Sequence, residues 1–373
     1  MRILHISKVT GIAGSEGHLL MLLPALAQQG VETHMLVLED PARPAQTFCR
    51  EMAARGVPVE VMPIRHDVAS GLVSRLTARL RALRPDLVHT HLIHGDLYGL
   101  FAARRAGVLF AVSTRHNDNP FRRRPLIRWL NRQAMRRATR VIAISQALAR
   151  FVAEVEGIDC AKIVVIPYGF TPPAYPSDAR QRARAELGCG PHEPLLGFFG
   201  RLIPQKGVDV LLAAFPAICE RVPQARLLVV GDGALRGDLE AQARELGIEE
   251  AVIFTGWVEQ AHRLMPACDA IAMPSRWEGF GLVALEAMGA SRPLVASRVS
   301  ALPEIIVDGE TGLLVPPEDA SALAEAAAAL LADAERAAAM GQAGYRRLLA
   351  EFPVERMVQA TYNLYAELVE GKR

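Results

Sequence analysis

Two carboxylates eight residues apart mark the most chemically suggestive stretch of the chain. Glu278 lies in a turn with Gly279 and Gly281, and Glu286 lies in the apolar, helix-forming run that follows. Were all eight steps helical, the rise between them would be roughly 12 Å. The amides of Phe280, Gly281 and Leu282 fall between them, at a helix N-terminus where backbone N–H groups are open to an anion. Carboxylates accept hydrogen bonds from hydroxyls, so the layout suits a polyol–phosphate–ribose ligand. The plainer alternative is that Glu286 caps its own helix or pairs with an arginine. A second loop, from Gly200 to Gly207, brackets another helix start with Arg201 and Lys206. Two cations converging on a helix N-terminus make an anion site, against the alternative of two solvated charges. The spacing is not that of a Walker loop.

The first half offers weaker signals. Gly11 and Gly14 sit between an apolar run and a helical pattern that starts near Ser15 and Glu16. Glycine lets the backbone approach a ligand, although Ser15 and Glu16 serve equally well as capping residues. The pattern is not Gly-x-Gly-x-x-Gly, so a nicotinamide dinucleotide has little support. His116 follows another apolar run, where a histidine can donate hydrogen bonds and stabilise charge; a satisfied structural histidine is the alternative.

Arg124, Arg128, Arg132, Arg136 and Arg140 recur every four residues. Leu126, Leu130, Ala134 and Ala138 do the same two positions on, about 200° around a helix. The pattern predicts a helix over 124–140 with its apolar stripe on the sheet and its arginines facing out. Such a stripe suits anionic lipid headgroups or a lipid-linked diphosphate, or is simply a solvated face. Arg75, Arg79 and Arg84 add to it from a neighbouring helix. Nucleic acid is disfavoured, because no aromatics interleave with the basic residues.

These residues need elements to hold them. Short apolar runs at 1–6, 32–38, 56–62, 87–91, 109–114, 141–144 and 163–166 alternate with helical patterns. A proline-punctuated stretch over 169–194 follows, and six further runs lie at 195–199, 225–230, 252–255, 270–273, 294–297 and 312–315. The Ala-rich stretch 320–340 reads as one helix opened by Asp319 or Ser321. This alternation predicts an α/β chain of two doubly wound parallel sheets, whose ligands bind beyond the carboxyl ends of the strands. The 373-residue length suits two domains, with 51% hydrophobic and 22% charged residues. The net charge of +2 conceals a split: residues 1–190 hold 26 Lys/Arg against 15 Asp/Glu, and the remainder is acidic. Five scattered cysteines without metal or redox spacing predict free, mostly buried thiols in a reducing compartment. The N-terminal run reads as a strand rather than an export signal, and no apolar run is long enough to span a membrane.

In order along the chain, the Gly14/Glu16 loop, His116, Arg201, Lys206, Gly231 to Gly233, Phe254 to Val258, the Glu278/Glu286 pair, Pro303 to Ile305 and Asp308 to Pro316 resemble the retaining glycosyltransferases of family 4. The resemblance covers nearly the whole chain and is most specific in the second half. It implies the GT-B fold, two Rossmann-like domains facing across a cleft. The acceptor-side domain would span 1–170 with a returning segment at 353–373, and the donor-binding domain 171–352. It implies that Arg201 and Lys206 hold the donor diphosphate and that Glu278 binds the transferred sugar. Glu286 would bind the ribose, and Phe280, Gly281 and Leu282 would give amides to sugar and phosphate. Trp257 and Val258 would lie near the base, Gly14 near the diphosphate, and His116 near the anomeric centre. Two positions depart from the family pattern: Ala13 replaces a glycine, and Tyr168 replaces an asparagine before Gly169.

The implied reaction is metal-independent transfer of a hexose-type sugar from a nucleotide-sugar donor, with UDP favoured over GDP and no other cofactor. The implied acceptor is a hydroxyl of a lipid-linked, polysaccharide or glycoconjugate molecule, as in cell-envelope polysaccharide synthesis. The expected location is cytoplasmic, or peripheral on the inner face of the cytoplasmic membrane through Arg124, Arg128, Arg132 and Arg136. A sugar-nucleotide epimerase of the same fold and a non-catalytic membrane-surface module are the competing readings.

Overall fold

The computed structural model describes residues 1–64 and 71–371. Residues 65–70 and 372–373, which belong to the expected 1–170 and 353–373 segments, lie outside the described residues. The chain divides into two compact units, Met1–Gly169 with Val354–Arg373, and Phe170–Pro353.

The first unit is a seven-stranded parallel sheet. Its strands are β1 (Arg2–Val9), β2 (Glu32–Glu39), β3 (Val59–Pro63), β4 (Leu87–His91), β5 (Phe110–Arg115), β6 (Arg140–Ala143) and β7 (Ile163–Val165). Their order across the sheet is β3-β2-β1-β4-β5-β6-β7. One face is apolar: Leu4 and Ile6 of β1, Leu36 and Leu38 of β2 and Val88 of β4 pack on Leu72, Leu76 and Leu80 of the helix Leu72–Leu83. At roughly 25 cal/mol per Å2 of apolar surface, that burial is the main stabilising term. The other face is polar at its centre, where His5, His89 and His91 are fully buried.

The second unit is a six-stranded parallel sheet of β8 (Leu195–Phe199), β9 (Arg226–Val230), β10 (Val252–Gly256), β11 (Ala270–Met273), β12 (Leu294–Ser297) and β13 (Gly312–Val315). Its order is β10-β9-β8-β11-β12-β13. The helices Val208–Arg221 and Ala320–Ala332 pack together over one face through Leu211, Phe215, Leu323 and Ala327. In each sheet the order reverses beside the first strand, between β1 and β4 and between β8 and β11. Connections leave such a point in opposite directions, which opens a crevice at the carboxyl ends of the strands.

Two helices differ from expectation. The 124–140 pattern is helical only over Pro125–Met135, because Arg140 pairs into β6 opposite Val112. Its four-residue spacing continues through the turn without a helix to carry it. The 320–340 stretch is two helices, Ala320–Ala332 and Ala334–Glu351. Asp319 caps the first by accepting from the Ala322 amide at 2.9 Å, and Asp333 caps the second by accepting from the Arg336 amide at 2.9 Å. The interruption at Asp333 is a capping signal, which an alanine count hides.

Candidate active site

The second unit gathers its polar residues in the loops after β8 and β11, either side of its switch point. Gly207 adopts φ +65°, and a Cβ there would lie 2.1 Å from the Pro274 carbonyl oxygen. Only glycine lets the two loops meet this closely. They are further tied by the Arg276 amide, which donates to the Gln205 carbonyl at 2.8 Å, and by Gln205 Nε2, which donates to the Trp277 carbonyl at 3.0 Å. The Arg276 guanidinium clamps the same junction. It donates to the Pro204 carbonyl at 2.7 Å, to both oxygens of Asp209 at 3.0 and 2.7 Å, and to Glu318 at 2.9 Å. Sequence reading missed Arg276, because nothing in its spacing pairs it with Asp209.

Held by these contacts, Lys206 Nζ donates to Glu278 Oε1 at 2.5 Å. Ser275 Oγ donates to the same oxygen at 2.8 Å, and the Glu278 amide donates to Ser300 Oγ at 3.1 Å. Glu278 is 4% exposed, so this charge-assisted pair sits largely out of water. Glu278 is not helical; the helix is Leu282–Gly289, and Gly281 precedes it at φ +101°. Among the described residues no side chain caps that N-terminus, which leaves its first amides for a ligand. Phe280 is buried against Phe352, so only its backbone is offered.

Glu286 is partly buried on the Leu282–Gly289 helix. Burial pushes its carboxyl up to about 7, with Lys206 pulling the other way. It neither caps its helix nor pairs with an arginine among the described residues. The Tyr175 phenol, pushed up to about 12 by burial and by Glu286, marks a neighbour that the sequence did not announce. Arg201 is exposed, and no described side chain pairs with it. Trp257 is 74% exposed in the segment after β10, with Val258 partly covered beside it.

In the first unit, Gly14 opens the exposed N-terminus of the helix Gly14–Gln28. Glu16 turns back there and accepts from the Ala13 amide at 3.1 Å and from Ser15 Oγ at 3.0 Å. The capping alternative therefore describes Glu16, while Ser15 only supports it: the N-cap position is Ala13. His116 is buried just past β5, with both ring nitrogens engaged, Nε2 by His91 at 3.0 Å and Nδ1 by Tyr168. Sequence reading missed His5, His18 and His91, which lie inside apolar runs.

Arg124, Arg128, Arg132 and Arg136 are exposed, as the four-residue spacing predicts. Arg132 is also committed to the Glu156 carbonyl at 2.8 Å, and Arg140 is half-buried and meets Glu367 at 3.2 Å. The opposed stripe is only partly covered. Ala134 and Ala138 are buried and Leu130 is half-buried, but Leu126 is 67% exposed; Trp129, outside that stripe, is 57% exposed. The cysteines are free, but only Cys189 and Cys268 are buried.

Residues 12–172 match the model described as Glycosyltransferase Family 4, and residues 179–347 match that described as Glycosyl transferases group 1. A D-inositol 3-phosphate glycosyltransferase of Nocardia farcinica is 33% identical, the match covering 89% of this chain and 80% of the relative. The chain belongs to glycosyltransferase family 4. A GDP-mannose-dependent alpha-(1-6)-phosphatidylinositol monomannoside mannosyltransferase of Mycolicibacterium smegmatis is a further relative of this family 4 chain. It is 33% identical over 86% of this chain and 87% of the relative. The crystal structure of Anabaena Alr3699/HepE in complex with UDP and glucose superposes with a TM-score of 0.87. Identity is 25%, over 98% of this chain and 100% of that one. The family 4 chain thus has the GT-B fold of two Rossmann-like domains. Among its described residues no helix is long and apolar enough to cross a membrane.

Proposed function

We propose that this family 4 glycosyltransferase moves a hexose-type sugar from a nucleotide-sugar donor to a hydroxyl of a lipid-linked or polysaccharide acceptor, with retained anomeric configuration. The observation that carries the reading is the Lys206–Glu278 pair at 2.5 Å, set beside an uncapped helix N-terminus and the unpaired Arg201. In this reading Arg201 and Lys206 neutralise the departing diphosphate, with Lys206 trading part of its contact with Glu278 for phosphate oxygen. Glu278 then accepts from sugar hydroxyls, and Glu286 accepts from the ribose. The amides of Phe280, Gly281 and Leu282 hold sugar and phosphate, Trp257 and Val258 cover the base, and Gly14 and His116 contribute from the first unit. The acceptor oxygen bonds to the anomeric carbon as the carbon–phosphate-oxygen bond breaks. The acceptor proton passes to a phosphate oxygen of the leaving group. Stabilising that leaving anion is the largest protein contribution, with cations and helix dipoles in the place of a metal.

UDP is favoured as the base-bearing part of the donor, supported by the UDP held in the Anabaena structure, while the mycobacterial relative is GDP-mannose-dependent. A thermal-shift series against UDP-, GDP- and ADP-sugars tests this. Stabilisation confined to one base identifies the donor. Undiminished binding and turnover in both Lys206→Ala and Glu286→Ala would sink the assignment.

The first unit is further read as resting on an anionic membrane from the cytoplasmic side. The exposed Leu126 and Trp129 beside Arg124, Arg128, Arg132 and Arg136 support this, since an interfacial helix combines apolar and basic side chains.

A further inference from the structure

The first unit holds a file of imidazoles behind His116. His5 on β1 and His91 on β4 have no exposed surface. His91 Nδ1 meets His116 Nε2 at 3.0 Å, and His91 Nε2 meets His5 Nδ1 at 3.0 Å. At one end of the file, His116 Nδ1 meets the phenolic oxygen of Tyr168. At the other end, His5 Nε2 is buried and has no partner among the described residues. Burial holds all three rings neutral, His5 at about 3 and the others well below the usual histidine range.

A neutral imidazole has one N–H and one lone pair. The protons of the file are therefore coupled, and only two arrangements satisfy its internal bonds. With every proton on Nε2, the file ends in a buried N–H at His5 that has no acceptor. With every proton on Nδ1, it ends in a bare lone pair. An orphaned N–H is the rarer outcome in folded proteins, so the second arrangement wins. His5 Nδ1–H then donates to His91, His91 Nδ1–H donates to His116, and His116 Nδ1–H donates to the Tyr168 oxygen. The Glu16 carboxylate is close enough to act on that phenol.

We propose that His91, backed by His5, is a positioning residue that holds His116 as its Nδ1–H tautomer, so that His116 meets substrate as a neutral hydrogen-bond donor and not as a base. This rests on the reading of His116 as a sugar-binding group. A sugar hydroxyl is the same kind of acceptor as the phenolic oxygen that now takes this N–H.

A shared cation is the other use for such a cluster, since His5, His89 and His91 lie near enough to offer one. Their bonding opposes it. His89 is committed to the Tyr365 hydroxyl at 2.5 Å and to the Thr114 hydroxyl at 2.6 Å, and His91 has both nitrogens engaged. No carboxylate joins the group among the described residues to balance a divalent charge.

Nitrogen-15 NMR of histidine-labelled enzyme reads the tautomer directly. Wild type is expected to show one form of His116, protonated on Nδ1. His91→Phe is expected to give averaged tautomers and about a tenfold loss of kcat, with donor KM unchanged. His91→Gln, whose amide can donate to Nε2, is expected to restore the Nδ1–H signal and most of the kcat. An Nε2-protonated His116 in wild type, or an unchanged His116 spectrum in His91→Phe, overturns the proposal. So does stoichiometric metal in the purified enzyme that His5→Phe releases. Full turnover in His116→Phe would instead remove the sugar-binding reading of His116 and leave the tautomer result standing.

Discussion

Glu286 is a residue whose charge changes near neutral pH. Its carboxyl sits at about 7 in the folded chain, above the ordinary 4.5. A group raised in this way stabilises the fold in its protonated form, fully at low pH, and the contribution is lost as pH rises through about 7. Glu286→Gln, a mimic of the protonated form, should therefore gain stability over wild type at pH 8 and not at pH 4. Denaturant melts of the pair at the two pH values check this. The proposed ribose contact needs the ionised form, so on that proposal UDP should bind about tenfold more weakly at pH 6 than at pH 8 in wild type, and without that dependence in Glu286→Gln. Calorimetric titration gives both numbers. The loops that carry Arg201, Lys206 and Glu278, and the helix that carries Glu286, were legible in the sequence because each follows an apolar strand. Arg276 and Tyr175 were not, since their partners are distant in the chain.

At the scale of elements, the two sheets differ in what their buried faces must tolerate. The first sheet carries neutral histidines at its centre, His5 among them, and His18 lies on the helix Gly14–Gln28; burial pushes both down to about 3. The unfolded chain protonates near 6.5, so this stability is present above that pH and is lost as pH falls toward 3. Each such ring should remove about 1.4 kcal/mol per pH unit below 6.5. A melting series from pH 7.5 to pH 5 should fall steeply, and less steeply in His18→Phe. The second sheet depends instead on close loop approach. Gly207→Ala sets a methyl against the Pro274 carbonyl at a backbone angle that costs about 1–3 kcal/mol by itself. The expected outcome is a lower melting temperature together with lost UDP stabilisation, both visible in one thermal-shift experiment. The pattern readings that failed here share one cause. Helical spacing persisted at Arg140 and across Asp333, but strand pairing took the first residue and a cap divided the second stretch.

For the whole molecule, the uneven charge now has a location. Part of the basic excess of the first half is the exposed row Arg124, Arg128, Arg132 and Arg136, with Leu126 and Trp129 uncovered beside it. Anionic vesicles should sediment the wild-type protein, and added salt should weaken this as exposed charges are screened. Arg124→Glu with Arg128→Glu should abolish the salt-sensitive part, and Trp129→Ser should weaken what remains. Arg132 is the poorer choice for reversal, because it also bonds the Glu156 carbonyl. Unchanged sedimentation in the double reversal would return the row to solvent.

The sequence by itself determined the parallel α/β class, the thirteen strands and the loops beyond them that carry the polar motifs of the second unit. Local spacing suffices there: buried parallel strands read as short apolar runs, and loops beyond them carry the polar residues. Only the tertiary structure decided which polar residues are partners. The Lys206–Glu278 pair, the Arg276 clamp and the file from His5 through His91 to His116 all join residues on different strands or loops. Strand order and register create those neighbours, and neither leaves a mark on spacing along the chain. The charge state of Glu286 belongs with them, because it follows from burial, which is a property of the folded chain alone.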